Sequence, residues 1–431
     1  MPDFDLIIRG ASPFPFVAIT DGKFAVVEEE GTGSAAEEID ATGLEILPGV
    51  IDAHIHFNEP GRVEWEGLET GSRAAAAGGI TTFFDMPLNS LPPTLSAEAF
   101  REKQRLAEAK AIVDFALWGA LLPSNLDELA GLKDSGAIGL KAFMSYGGLP
   151  DFPNVDLPTL REGMRRAAKL NILVAVHAEF DQPQLRKGNS IRDYLNSRPI
   201  WAELEAIRAA IDIAGETGCR LNIVHVSCGS GVAAIAEARA KGADVSCETC
   251  PHYLVFTEED VERIGAAAKC APPIRDHAER KDLWRRLIAG EVQTIGSDHS
   301  PAPPVMKQHS NFFNVWGGIM GCQHMLPLMM DLGLSAVQLS KLMAENVATR
   351  FRIAQRKGQI VRERDADCVL VDRNNKLTVT KDSLLYRHQQ SPFLGRTIRG
   401  AVVRTIVRGE TVVSDRGISL THRGQLIRPI L

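Results

Sequence analysis

Short, unbroken apolar runs recur between positions 48 and 300, and segments with helical spacing separate them. Runs such as ILVAV and IVHV show no polar alternation, which is typical of parallel strands that are covered on both faces. Between two such runs, Ile207, Ile211 and Ala214 share one face of a helical segment. We predict strands at 48–54, 79–85, 114–121, 138–144, 171–178, 220–227, 244–249 and 293–298. This series of strand–helix repeats predicts an α/β fold, a (β/α)8 TIM barrel.

The two ends of the chain have a different pattern. Residues 1–47 and 358–417 contain short β-rich runs broken by Gly and Pro, and neither end has a complete apolar core of its own. We therefore predict that both ends pair into one small β-sandwich beside the barrel. The predicted division is 1–47 for the first part of the sandwich, 48–350 for the barrel, and 351–431 for the rest of the sandwich and a tail. The segment 300–316 lacks periodicity and is predicted to form a loop over the barrel mouth.

Composition narrows the class of protein. The chain is 45% hydrophobic and 24% charged, as in an ordinary globular protein, and its net charge of −6 disfavours nucleic acid as a partner. Its apolar runs fall short of the ~20 residues that cross a bilayer. The start MPDFDLIIRG is acidic where a signal peptide is basic, so we expect a cytoplasmic protein without a membrane partner.

The seven scattered cysteines indicate reduced thiols, and the CxxC at Cys247 and Cys250 has no second pair to complete a zinc site.

Six potential metal ligands each close an apolar run, and this arrangement is the main functional signal. They are His54, His56, Lys141, His177, His225 and Asp298. Because the C-terminal ends of parallel barrel strands converge at one mouth, we expect these side chains to meet. The two histidines of the HxH lie two positions apart on a strand and face the same side. The pattern predicts a two-metal hydrolytic centre.

Lys141 is the unusual member of the set. A charged ammonium inside an apolar strand is costly, so the neutral amine is favoured there. A neutral amine can capture carbon dioxide as a carbamate, whose two oxygens can bridge cations about 3.5–4 Å apart. The alternative is a structural lysine paired with a carboxylate. We expect His177 and His225 to hold the second ion, and Asp298 to act as general base and then general acid.

Several longer segments carry a family resemblance. They are EPGRVEWEGLETGSRAAAAGGITT (59–82), MPLNSLPPT (86–94), SRPIWAELEAI (197–207), CETCPHY (247–253), KCAPPIRD (269–276), SDHSPAPPVMK (297–307), WGGIMG (316–321) and YRHQQSPFLGRTIRG (386–400). The chain resembles the cyclic amidohydrolases of the amidohydrolase superfamily, which include dihydroorotase, hydantoinase and allantoinase. The resemblance is closest to the allantoinases, which implies hydrolysis of the small molecule allantoin to allantoate in purine degradation.

The resemblance also implies cofactors and assembly. It makes the same six residues the ligands of two divalent cations and makes Lys141 a carbamylated lysine. Zinc is the first expectation, with cobalt, manganese and iron as alternatives, because imidazole and carboxylate ligands accept all of them. A homotetramer is implied as well.

Individual positions separate the members of the group. Dihydroorotases typically place Arg two residues after the second histidine to hold a carboxylate, whereas this chain has the uncharged Asn58. Tyr146 occupies the place where hydantoinases carry a tyrosine that supports the oxyanion, so it is a second catalytic candidate. Ala271 and Ala302 stand where relatives often have Ser and Cys. The expected substrate contacts are Asn58, Arg62, Asn89, Ala271, Trp316 and Gly317.

Other activities stay open at this point. A hydantoinase or dihydropyrimidinase, a dihydroorotase, and a non-catalytic scaffold relative are the alternatives. We expect His299, which follows Asp298, to point away from the ligands, and His252 has no assigned task.

Overall fold

The computed structural model describes residues 2–430. Its strands are β1 (Phe4–Arg9), β2 (Phe16–Thr20), β3 (Lys23–Glu28), β4 (Ala35–Asp40), β5 (Glu45–Pro48), β6 (Val50–Ile55), β7 (Ile80–Asp85), β8 (Asp114–Leu117), β9 (Gly119–Ala120), β10 (Leu140–Phe143), β11 (Val174–His177), β12 (Leu221–Ile223), β13 (Val245–Thr249), β14 (Thr294–Ile295), β15 (Cys368–Thr378), β16 (Thr397–Val407), β17 (Glu410–Ser414) and β18 (Gly417–Ile418).

The helices lie mainly between the barrel strands. They are α1 (Leu68–Ala77), α2 (Ala97–Lys110), α3 (Leu129–Ser135), α4 (Leu157–Lys169), α5 (Ile191–Asn196), α6 (Ile200–Thr217), α7 (Gly229–Ala240), α8 (Pro251–Val255), α9 (Glu258–Ile264), α10 (His277–Ile288), α11 (Met325–Asp331), α12 (Ala336–Ser340) and α13 (Asn346–Arg350). Among residues 2–430, every helix is too short or too polar to span a bilayer.

The central strands form the predicted parallel barrel. β6, β7 and β8 pair in order, and β9 to β14 continue the series, each strand parallel to its neighbour. The ring closes where the residues after β14 meet the first strand: Ile55 bridges His299, and the His56 N–H donates to the His299 carbonyl at 2.9 Å. Every residue of β6, β7, β10 and β11 is buried, as the unbroken apolar runs predicted.

Two barrel strands are shorter than their apolar runs indicated. The run 220–227 yields only β12, and 293–298 yields only β14. Just beyond these two strands, His225 and Asp298 have left-handed φ angles of 39° and 46°. Such conformations are costly for residues with a side chain, and they concentrate at functional sites.

The β-sandwich draws on both chain ends. One sheet has the order β3-β2-β1-β4, and the other has the order β18-β17-β16-β15-β5. β5, from the N-terminal part, pairs antiparallel with β15, from the C-terminal part. A shared apolar cluster joins Leu6, Val17 and Phe24 to Leu370 and Ile406. Neither end could bury these side chains alone.

The helix predicted from the spacing of Ile207, Ile211 and Ala214 is the later part of α6. Gly218 follows the last residue of α6 and caps the helix with a left-handed φ of 70°. Ile207 and Ala214 are buried, and Ile211 is partly buried against the same core. The segment 300–316 has no strand and only two short 3-10 turns, at 304–307 and 312–314.

Candidate metal centre

The barrel strands deliver all six candidate ligands to one end of the barrel. His54 is the penultimate residue of β6, and His56 follows that strand. Lys141 lies in β10, and His177 is the last residue of β11. His225 lies after β12, and Asp298 lies after β14. All six are buried. Their convergence at the C-terminal ends of the strands is the arrangement that the sequence pattern predicted.

Three of these side chains form a compact donor set. The Asp298 Oδ1 atom lies 3.3 Å from His54 Nε2 and 3.5 Å from His56 Nε2. One donor atom from each residue lies within 4.8 Å of the other two, so the group could hold a metal ion. Imidazole nitrogen and carboxylate oxygen are ligands that zinc and related divalent cations accept.

A second pair of donors lies beside the first set. His177 Nδ1 and His225 Nε2 are 3.0 Å apart, and the His54 and His225 rings have centroids 5.3 Å apart. Burial lowers the pKa of all four histidines, to about 3 for His54, so the neutral imidazoles that a cation requires are favoured.

Lys141 lies beneath these donors without a partner. Its Nζ is fully buried, has no hydrogen bond within residues 2–430, and lies 4.8 Å from the centre of the Phe143 ring. Burial lowers the pKa of Lys141 to about 7, although the nearby Asp298 and Glu248 carboxylates oppose the shift. A structural lysine would be expected to ion-pair directly with a carboxylate. The unpaired amine fits a carbamylated ligand better than the structural alternative.

Two carboxylates that the sequence analysis missed stand behind the histidines. Glu248 Oε1 lies 2.7 Å from His54 Nδ1, and Glu179 Oε2 lies 3.4 Å from His177 Nε2. Arg198 binds Glu179 through two hydrogen bonds; burial opposes ionisation of Glu179, but Arg198 outweighs it and holds the pKa of that carboxyl well below its usual range. A carboxylate on one ring nitrogen directs the other nitrogen toward a cation. For His54, the nitrogen left for the cation is Nε2, which faces Asp298 at 3.3 Å.

A cavity of about 460 Å³ opens above the ligands. Of the predicted substrate contacts, its lining includes Asn89, Ala271, Trp316 and Gly317. The predicted catalytic residue Tyr146 also lines it, with 48% of its surface exposed, and the Tyr146 N–H donates to Asp181 at 2.8 Å. The cavity walls thus combine polar side chains, aromatic rings and glycine-rich backbone.

Two predicted substrate contacts lie outside this lining. Asn58 is buried and donates from Nδ2 to the Pro301 carbonyl at 3.3 Å. Arg62 donates to the Asn89 carbonyl at 3.1 Å and binds Asp151 at 3.2 Å. Both residues tie together the loops that carry the cavity wall, and their contact with substrate stays a prediction.

His252 and His299, the two histidines near the ligands that have no assigned role, are held by contacts outside the cavity. His299 is buried, and its Nδ1 accepts from the Gly321 N–H at 3.1 Å. His252 is buried against Tyr253, with the two ring centroids 4.3 Å apart. Neither belongs to the cavity lining.

Comparison with known proteins identifies the class. The amidohydrolase family model matches residues 46–412, and the chain belongs to the amidohydrolase family. The chain is 49% identical to a protein named allantoinase from Rubrobacter xylanophilus, over 100% of this chain and 98% of that one. It is 48% identical to an allantoinase from Deinococcus radiodurans, over 99% of each. Among solved structures it is similar to the L-hydantoinase (dihydropyrimidinase) from Arthrobacter aurescens, with a TM-score of 0.94 and 34% identity over 99% of this chain and 100% of that one.

Proposed function

We propose that this chain is an allantoinase, which hydrolyses the cyclic amide of allantoin to allantoate in purine degradation. The observation that carries the proposal is the identity of 48–49% to relatives of that name over essentially the whole chain. Family membership supports the broader class, a hydrolase of cyclic amides.

The charges in the cavity favour a neutral ring. Three cationic side chains line it, and each already has partners: Arg198 binds Glu179, Arg186 binds Asp181, and Lys269 donates to three backbone carbonyls. A buried carboxylate without a cationic partner is costly. The cavity therefore suits allantoin better than dihydroorotate, whose exocyclic carboxylate needs a free cation.

We propose that the six ligands hold two divalent cations, with zinc the first expectation, and that Lys141 is carbamylated. His54, His56 and Asp298 would supply one set of donors, His177 and His225 the other, and the Lys141 carbamate would join the two sets. When bound, the cations would polarise the ring carbonyl and lower the pKa of water toward ~7. The gathered donors and the unpaired Lys141 amine support this assignment.

The residues of the chain would handle the proton and the oxyanion. Asp298 would accept the proton of the attacking water and deliver it to the ring nitrogen as the C–N bond breaks. Its carboxylate is in reach because Asp298 lines the cavity. Tyr146, which also lines the cavity, would donate its hydroxyl hydrogen to the oxygen of the tetrahedral intermediate.

The second candidate is a hydantoinase or dihydropyrimidinase. The similarity to the Arthrobacter aurescens structure and the presence of Tyr146 in the cavity favour it. A non-catalytic scaffold is disfavoured because all six ligand positions are filled and brought together.

A substrate panel tests the proposal. The purified metal-loaded protein is assayed at equal concentrations of allantoin, hydantoin, dihydropyrimidine and dihydroorotate, and kcat/KM is compared. We expect allantoin to give the highest value and dihydroorotate the lowest. A higher kcat/KM for hydantoin or dihydropyrimidine would replace the proposal with the second candidate.

A further inference from the structure

A second cavity lies at the opposite end of the barrel from the ligands. It has a volume of about 250 Å³, and we call it the floor cavity. Its walls include the residues just before β10 and β11, such as Ile138 and Leu173, and Arg220 just before β12. Residues at the N-terminal ends of barrel strands normally serve stability rather than catalysis. The charges of this cavity depart from that expectation.

The floor cavity is strongly basic in an acidic chain. Its lining includes Lys133, Arg220, Arg352 and Arg428, against the single carboxylate of Asp134. Lys133 and Asp134 pair at 3.3 Å, which leaves three guanidinium groups without a carboxylate among the lining residues. The net charge of the whole chain is −6, so this excess is local.

The Asp244 carboxylate near the cavity does not balance the positive charge of Arg220 and its neighbouring arginines. Its Nε lies 3.5 Å from Asp244, but the same carboxylate also binds Arg350. Burial, followed by repulsion from Arg350 and Arg352, lowers the pKa of Arg220 to about 10 despite Asp244. An anion in the cavity would relieve this repulsion.

The other two guanidinium groups are available to a ligand. Within residues 2–430, the side chains of Arg352 and Arg428 make no hydrogen bond and no ion pair. Arg428 passes over Gly136, where an added Cβ would lie 2.8 Å from Arg428 Nε. Gly136 therefore makes room for Arg428 beside the cavity.

Helix ends account for only part of the charge. α3 ends at Ser135, α4 at Lys169 and α13 at Arg350, all next to the cavity wall, and a helix C-terminus carries roughly half a negative charge. Arg220 donates to the Arg350 carbonyl at the end of α13, and three such ends offset about half of the three guanidinium charges. The rest is left for a bound anion.

We propose that the floor cavity binds a phosphate group, either free or on a small organic molecule. Planar guanidinium groups bind phosphate oxygens through paired hydrogen bonds, which lysine cannot reproduce. The lining also includes the apolar side chains of Ile138, Leu173 and Phe351, which would accept the organic part of a phosphate monoester. This site is separate from the metal centre and does not depend on the proposed activity.

Isothermal titration of the metal-loaded protein tests the site. Inorganic phosphate and phenyl phosphate are titrated at constant ionic strength, balanced with chloride. We expect saturable binding that the double variant Arg352→Gln/Arg428→Gln weakens by at least about tenfold. The matched control is Arg208→Gln, an exposed arginine on α6 outside the floor cavity, which should bind as the unchanged protein does. Tighter binding of phenyl phosphate would identify the ligand as a monoester, and equal or tighter binding of inorganic phosphate would identify free phosphate.

Steady-state kinetics in the presence of phosphate separates binding in the floor cavity from binding at the metal centre. Phosphate at the metal centre would compete with substrate, and its affinity would be the same in the double variant. That result, or the absence of saturable binding, would overturn the proposal. If the double variant folds poorly, Arg428→Gln alone serves, because Arg428 is exposed and its side chain has no partner within residues 2–430.

Discussion

At the scale of single residues, Lys141 is the side chain on which the proposed chemistry depends most. We expect Lys141→Ala to lower kcat by at least roughly a thousandfold, because the bridge between the two cations is lost. Added acetate or propionate with divalent metal should restore part of the activity by supplying a free carboxylate. Lys241→Ala, at an exposed lysine on the surface, is the matched control. Full activity of Lys141→Ala without added carboxylate would rule out the carbamate.

Glu248 gives a second test at this scale. Its carboxylate holds His54 Nδ1 at 2.7 Å, so Glu248→Gln should weaken metal binding by about 10- to 100-fold while the ligands stay in place. Competition with a chromogenic chelator measures the affinity. The control is Glu237→Gln, an exposed carboxylate on α7. Equal affinities of the two variants would show that Glu248 does not orient the ligand.

The sequence locates the six candidate metal ligands better than the residues that hold those ligands in place. The ligands lie at or near the ends of apolar runs, with His54 and His56 sharing one run, so a local pattern locates them. Glu248 lies 194 residues from His54, so that contact exists only once the barrel has closed. Glu179 lies two residues after His177, and Arg198 contacts it from the segment just before α6. A carboxylate inside an apolar strand, as in CETC, is the one sequence signal that could have located Glu248.

At the scale of elements, one loop forms a wall of the cavity through two buried lysines. Lys269 Nζ donates to the carbonyls of Phe312, Phe313 and Val315 at 2.5–3.0 Å. Lys307 Nζ donates to those of Ala266, Trp316 and Gly318 at 2.7–3.2 Å. The segment 300–316 was predicted only as a loop, because contacts of this kind leave no periodicity in the sequence.

We expect Lys307→Met to raise KM more than it lowers kcat. The methionine keeps most of the volume but frees the carbonyls of Trp316 and Gly318, so the wall shifts while the metal ligands stay in place. Steady-state kinetics on allantoin measure both constants, with Lys241→Met as control. A loss confined to kcat would show that the loop does not position the substrate.

At the scale of the whole molecule, a buried charge network joins the barrel to the sandwich. Lys357 Nζ lies 2.6 Å from Asp114 in β8, 2.6 Å from Asp367 beside β15, and 3.0 Å from Asp365. Arg408, beyond β16, also binds Asp114. Burial opposes the charge on Lys357, but the carboxylates outweigh it and raise the pKa of Lys357 above its usual value.

Lys357→Met should lower the free energy of unfolding by about 3–5 kcal/mol, since it leaves buried carboxylates without their shared cation. Because the pKa of Lys357 is raised in the folded state, its contribution is fully present at neutral pH and disappears only at alkaline pH, above the ordinary lysine pKa. Chemical denaturation at pH 7 measures the change. Lys241→Met should leave the midpoint unchanged, and a similarly small effect of Lys357→Met would show that the network is not needed for stability.

The central claim is that the six side chains at the barrel mouth hold two cations joined by the Lys141 carbamate. Elemental analysis of the purified protein, beside Lys141→Ala prepared in the same way, tests it most directly. We predict about two divalent ions per chain in the unchanged protein and a clear loss of metal in the variant. One ion or none in the unchanged protein, or two retained in the variant, would contradict the claim.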